Sequence, residues 1–367
     1  MDKLTIIFPT KNRHHFLKMV LEYYAQNKCQ FPIVIGDASD KEVFEQNRRL
    51  VEGLKGRLNI DHQAHPLQLS SQASVVRSLE MIKTPYSVFS GDDDFFVPAC
   101  LQECVDFLDE NPDYNLASGE FLMAYVKRTP QSRYEMDKIV FGDFRRSVLD
   151  NSARARLIQS YYPRQVINTF SVQRTKNILH MYKKILHAGL DADMYGNILC
   201  EVAANGLSLI YGKEMKLPRL YIVALKHGEQ LYQSRAAGLN SISRITFEYW
   251  PLYLKKVIQL LTDALMEKDS IPLDEAQSIA ETCILYYHTN VLMLGYPTDV
   301  LKEHGITFVS SQHGIGRLLF NKVAARFPFL KNLKQRLRPS KAALPNLLNP
   351  KSPYHADFMP IYSSFEK

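Results

Sequence analysis

No run of about 18 apolar residues occurs anywhere in the chain, so no segment of it reads as a membrane-spanning helix. Cysteine is scarce. The five present (Cys29, Cys100, Cys104, Cys200, Cys283) are odd in number and scattered, which argues for a reduced compartment rather than a disulfide scaffold. Cys100 and Cys104 stand one helical turn apart. No second Cys or His pair completes a zinc pattern, so they read as packing residues. Strand-like sequence begins by Leu4, which leaves no room for a signal peptide and leads us to expect a cytoplasmic protein. Glycine is missing from the loop after the first strand, Pro9-Thr10-Lys11-Asn12, which counts against a phosphate-cradling glycine loop. What is abundant is apolar sequence, 46% of 367 residues, enough for one large core or two ordinary ones. The net charge of +7 favours an anionic partner without naming it.

The first third alternates strand and helix. Residues 4–8 form an apolar strand that Pro9 is expected to end. A helix over 14–26 follows, with Phe16, Leu17, Val20, Leu21 and Tyr24 on one stripe. Residues 31–35 read as a second strand closing at Gly36-Asp37-Ala38-Ser39-Asp40, then a helix over 41–54, a third strand over 58–62 and a third helix over 70–82. This spacing predicts parallel strands joined by right-handed crossovers, an α/β Rossmann-like sheet flanked by helices. Ligands of such sheets lie beyond the carboxyl ends of the strands, where Thr10, Asp37 and Asp92 all fall.

The fourth strand carries the most pointed signal. Tyr86-Ser87-Val88-Phe89-Ser90 reads as buried, Gly91 breaks it, and Asp92-Asp93-Asp94 follow before apolar Phe95-Phe96-Val97-Pro98. Three adjacent carboxylates at the end of a buried strand need a positive partner. A divalent cation on oxygen ligands supplies one, and Asp92 and Asp94 point the same way in extended chain. A solvated acidic turn is the alternative. Lys11, Arg13 and Arg77 are candidates for charge near a phosphate, and each is equally a solvated cation. Adjacent His14 and His15 face different directions on a helix and are not read as a metal pair.

Phe8-Pro9-Thr10-Lys11-Asn12-Arg13, Gly36-Asp37-Ala38-Ser39 and Ser90-Gly91-Asp92-Asp93-Asp94 together resemble the three signatures of family 2-type glycosyltransferases with the GT-A fold, over residues 3–225. The second loop departs from the common Asp-Asp-Gly-Ser. The resemblance implies a nucleotide-sugar donor, Mn²⁺ or Mg²⁺, inversion at the anomeric carbon, and a glycan or lipid-linked acceptor. It implies a nucleotide-sugar site lined by Pro9, Thr10, Lys11, Arg13, Asp37, Arg77, Asp92 and Asp93, with Asp92 and Asp94 on the metal. His227, after the last core strand, matches a metal-binding His of some relatives, and a lone His is as readily structural. In the family an acidic residue opening a late helix is the catalytic base. Asp193 matches that place by its distance to Gly206, and Asp191 is the second candidate; either could instead cap the helix.

In the middle region, strands are expected within 115–126, at 139–141 and at 166–170, with a helix over 152–159. A helix opening near 189–195 is expected to stop at Gly206, followed by a strand over 207–211. Long apolar-periodic helices follow over 242–267, with a kink at Pro251, and 273–294. Residues 314–341 hold eight Lys or Arg and no acid, interleaved with Leu and Phe. That pattern suits an anionic membrane surface or a helix packed on the core, and no nucleic-acid motif accompanies it. The organisation expected is a GT-A catalytic domain over 1–230 (donor half 1–115, acceptor half 116–230), a helical region over 231–345 and an irregular Pro-rich tail over 346–367. A sugar nucleotidyltransferase and a non-enzymatic membrane or nucleic-acid adaptor are the competing function classes.

Overall fold

The alternating first third folds as a parallel sheet. The computed structural model describes residues 3–129, 134–142, 146–162, 168–191, 194–227, 250–294 and 344–365. Strands β1 (Leu4–Thr10), β2 (Ile33–Asp37), β3 (Ile60–Ala64) and β4 (Tyr86–Phe89) are joined through helices α1 (His14–Gln26), α2 (Lys41–Gly53) and α3 (Ser71–Leu79). β1 lies between β2 and β4, parallel to both. Contrary to the sequence expectation, β1 passes through Pro9. Ile7 faces β4, accepting from Ser90 N, whereas Thr10 faces β2, accepting from Ala38 N. Pro9, two residues past Ile7, therefore faces the side where β4 has already ended, and its missing N–H breaks no ladder bond.

After β4 come β5 (Asp94–Phe96), α4 (Pro98–Glu110), β6 (Tyr114–Arg128), β7 (Tyr134–Phe141), α5 (Ala153–Tyr161), β8 (Val172–Arg174), α6 (Thr175–His187), α7 (Met194–Ile210) and β9 (Lys213–Lys226). The strand order is β3-β2-β1-β4-β8-β6-β9-β5, with β7 on β6. β8 runs antiparallel to both its neighbours, and β5 antiparallel to β9. The expected strand at 166–170 is displaced. Its first two residues lie outside the described ones, Ser171 N turns back to Asn168 O, and the strand is β8.

Gly206 does not end a helix. α7 runs through it to Ile210, so 207–211 is helix and turn rather than strand. A Cβ at 206 would meet Leu261 Cδ2 at 2.8 Å, the Tyr161 hydroxyl at 2.9 Å and Leu157 Cδ1 at 3.1 Å. The glycine serves close helix packing against α5 and the helix α8 (Trp250–Asp269). The expected kink at Pro251 falls at the edge of the described residues, since 242–249 before it lie outside them. Together with α9 (Leu273–Leu294), α8 buries Val257, Leu261, Ala264, Ala276 and Ile284 in one cluster with Leu157, Tyr161 and Leu207. The expected helical region thus shares its core with α5 and α7 of the region before it.

The other face of the sheet carries α1, α4 and a C-terminal return. The tail expected to be irregular forms α10 (Leu344–Leu348) and α11 (His355–Tyr362). Leu347, Phe358 and Ile361 are fully buried in the cluster that holds Phe16, Phe95 and Cys100. The Phe365 ring lies 5.7 Å from Phe95, directly behind the acidic turn. Propensity alone would not hold helices this short, and packing does. All five cysteines are buried, with Cys100 and Cys104 facing the core. Phe358→Ala should cost about 3–5 kcal/mol in urea denaturation. A loss below about 1 kcal/mol would show a loosely attached tail.

Candidate active site

The chain leaves β1 toward β2 on one side and returns through β4 on the other. A doubly wound sheet opens its ligand crevice at this switch point. Across this switch point Thr10 Oγ1 donates to Asp92 Oδ2 at 2.8 Å. Ser90 and the turn after it carry the acids. Asp94 N donates to Gly91 O at 3.3 Å, so residues 91–94 fold back on themselves. A Cβ on Gly91 would lie 2.7 Å from Asp94 Oδ2 and 2.9 Å from Asp93 Oδ1. The glycine that breaks the strand is what lets three carboxylates share one turn. Asp92, Asp93 and Asp94 are all buried.

Arg13, at the start of α1, is the cation among them. Its Nη2 donates to Asp93 Oδ2 at 2.6 Å, and its Nε lies 3.1 Å from Asp92 Oδ1. The guanidinium stacks 4.7 Å above the Phe16 ring. His227, just past the end of β9, places Nε2 2.8 Å from the same Asp93 oxygen and stacks on Phe16 at 4.2 Å. The predicted Arg13, Asp92, Asp93 and His227 thus meet in one network, joined by Phe16, which sequence reasoning assigned only to the core. Burial pushes Asp92 up to about 7 although Arg13 opposes it. Asp93 is also penalised by burial, but His227 and Arg13 hold it below the usual carboxylate range. Asp94 is raised well above that range by burial and by Asp93, with Lys226 opposing. Asp94 pairs across the ladder with Ala224, and Lys226 is two residues along on the same face of β9.

The second and third loops are locked to the first. Asn12, in the left-handed region at φ 57°, donates from its amide N to Ser39 Oγ and from Nδ2 to Asp40 Oδ2. Asp40 N donates back to Asn12 Oδ1. Lys11 is exposed and donates from Nζ to the Leu67 carbonyl, tying β1 to the β3–α3 loop. Asp37 is fully shielded, and both its oxygens are filled. Ser39 N donates to Oδ1, and Asn47 Nδ2 (2.7 Å) and His62 Nε2 (2.9 Å) face Oδ2. In this arrangement Asp37 braces the end of β2 against α2 and β3. Burial favours its neutral form, but these donors outweigh it and lower its pKa. Nothing in the sequence singled out Asn47 or His62, because each becomes a partner only through the β2–β3 register and the α2 face.

Arg77 is exposed in the last turn of α3, where its charge acts on His65. His14 bonds Asn47 and His15 stacks on Tyr134, so the two do face different ways. Asp191 precedes α7 and accepts from Ser70 Oγ at 2.7 Å. Ser70 also caps α3, accepting from Ala73 N. Asp193 lies outside the described residues, as do 314–341. Since Gly206 is inside a helix, its spacing no longer ranks Asp193 above Asp191.

No family model and no curated protein matches the sequence. Among solved structures, S. aureus TarS 1-349 in complex with UDP-GlcNAc superposes with a TM-score of 0.50 at 15% identity, over 81% of this chain and 77% of that one. Mannosyltransferase PcManGT from Pyrobaculum calidifontis, in complex with GDP-Man and Mn²⁺, gives a TM-score of 0.38 at 14% identity, over 83% and 79%. The second is too distant to carry argument. The first shows the fold alone: the chain has the mixed α/β, GT-A-type fold of that structure.

Asp37→Asn should lose about 2–3 kcal/mol at pH 7, because the amide turns a donor toward donors that now meet a charge. A depressed folded pKa stabilises above the unfolded value near 4 and is lost as pH falls through the folded value. The gap between parent and variant in urea denaturation should therefore narrow on acidification below about pH 4. A gap that widens there would contradict this assignment.

Proposed function

We propose that the chain is a glycosyltransferase that moves a sugar from a nucleotide-sugar donor to a hydroxyl of a glycan or lipid-linked acceptor, with inversion. The observation that carries this reading is the buried acidic turn at the β1/β4 switch point, bonded to Thr10 and Arg13 of the first loop. Thr10, Lys11 and Arg13, with the loop that Asp37 braces, would form the nucleotide side. Arg77, exposed on α3, would add a further cation on that side.

The acidic turn suits a hard divalent cation, Mn²⁺ or Mg²⁺, because its donors are oxygens. Among the described residues no cation lies within ion-pair distance of Asp94, which burial raises well above the usual carboxylate range. Asp94 and Asp92 would hold the ion, with His227 alongside through Asp93. Such an ion would neutralise charge on a leaving diphosphate. Asp191, oriented by Ser70, or Asp193 would take the proton of the acceptor hydroxyl.

The basic segment 314–341 supports peripheral attachment to an anionic membrane, where a lipid-linked acceptor would be met. No described helix is long and apolar enough to cross a membrane. The chain on either side of this segment, at α9 and α10, is packed into the body. A truncation before it would also remove α10 and α11, so the test must change charge rather than length. Lys331, Lys334, Arg336 and Arg338 replaced together by Gln should abolish sedimentation with anionic vesicles at low salt. Unchanged sedimentation would remove the membrane from the account.

Asp94→Ala should abolish binding of UDP and GDP in Mn²⁺ by calorimetry with an unchanged circular dichroism spectrum. Parent-like binding would place the site elsewhere. Asp191→Asn and Asp193→Asn, assayed separately, should show a loss of about 10²-fold or more in turnover for one of them with donor binding retained. If both turn over normally, the base is neither.

A further inference from the structure

Asp92, Asp93, Asp94 and His227 come together around one turn, yet among the described residues no three His, Cys, Asp or Glu side chains converge so as to hold a metal ion. Arg13 explains the arrangement. Its guanidinium lies between Asp92 and Asp93, and both acids turn toward it. The two contacts are unequal. Nη2 makes a short bond to Asp93, which His227 also contacts. Nε faces Asp92 at 3.1 Å but is buried without an aligned hydrogen bond. That second contact is charge attraction without a formed bond, so Asp92 is the partner more easily given up. The stack on Phe16 fixes the guanidinium plane from below.

Resting on the function proposed above, we infer that Arg13 is a tethered cation that competes with the divalent ion for Asp92 and thereby makes metal binding depend on the donor's diphosphate. One guanidinium compensates one charge of a buried cluster of three, which leaves Asp94 dependent on a further cation. A metal entering alone must take Asp92 from Arg13 and strand the guanidinium in a crevice with one acid partner fewer. A nucleoside diphosphate removes that penalty, because its oxygens offer the planar fork a new bidentate partner. Metal and diphosphate then bind with positive coupling, and linkage makes the coupling equal in both directions. An Arg at this place is thus a positioning residue for the ion.

The experiment is a calorimetric cycle on the full chain: Mn²⁺ alone, UDP or GDP alone, and each in the presence of the other, for the parent and Arg13→Gln. Expected for the parent is weak Mn²⁺ binding, strengthened about tenfold or more by the nucleotide. In Arg13→Gln, Mn²⁺ alone should bind about tenfold tighter than in the parent, and the coupling factor should fall toward one. The melting temperature of Arg13→Gln should drop without metal and be restored by Mn²⁺ more than the parent's rises, which a merely structural loss would not show. If Arg13→Gln does not fold, Phe16→Leu, which removes the stack beneath the guanidinium, should move Mn²⁺ affinity the same way by a smaller factor. The inference is overturned if folded Arg13→Gln, or in its place Phe16→Leu, binds Mn²⁺ no tighter than the parent. It is equally overturned if nucleotide binds the parent tightly with no response to Mn²⁺. Nucleotide binding with unchanged metal affinity sinks this inference and leaves the glycosyltransferase reading standing. Tighter Mn²⁺ in the variant with no nucleotide binding anywhere sinks that reading and the coupling with it, and leaves Arg13 as the ion's competitor alone.

Discussion

The structure depends on how three carboxylates are kept buried at the end of one strand. Removing such charges from water costs several kcal/mol each unless something compensates them. Here the compensation comes from far apart in the chain: Thr10 and Arg13 from the first loop, Gly91 from the turn itself, and His227 from the end of β9. Bringing those four together requires β1 beside β4, and β9 near the turn through β5. The sheet order and the acidic turn therefore specify each other. The compensation is incomplete at Asp94, and an incomplete balance is what a binding site for a cation needs.

Behind the turn, the fold invests in rigidity. Phe95 and Phe96 are fully buried, and the chain returns from its far end to lay Phe365 against Phe95. On the opposite face, α8 and α9 close over α5 and α7 through the space that Gly206 leaves open. The helix that begins beside Asp191 is thus anchored at its far end, and Ser70, the cap of α3, holds Asp191 just before its start. This bond and the one between His227 and Asp93 both join the first part of the chain to the second near the proposed chemistry.

How much of this was readable in advance follows from the range of the interactions. The alternation through β4, the α1 boundaries and the three convergent loops were legible because strand and helix periodicities are local. Gly206 misled, because a glycine that stops a helix and one that admits a neighbouring helix look alike until Leu261 and Tyr161 are placed. β5 and β8 have three residues each, below what any period can mark. The helices α10 and α11 exist by burial of Leu347, Phe358 and Ile361 rather than by propensity. In the site, acid and base types were readable, but their supports were not. Asn47, His62 and Phe16 become partners of Asp37 and His227 only in three dimensions. Arg13 was read as a phosphate-side or a solvated cation, and its place between Asp92 and Asp93 was not legible.

The central claim is that the acidic turn at the end of β4 gathers a divalent ion and a nucleoside diphosphate in the β1/β4 crevice. The most direct measurement is an anomalous-difference map from crystals grown with Mn²⁺ and UDP or GDP. The account predicts a manganese peak about 2.0–2.3 Å from an Asp94 carboxylate oxygen, with the diphosphate between that peak and the Thr10–Arg13 loop. A nucleotide seated outside this crevice, or a manganese peak that Asp94 does not touch, would contradict it.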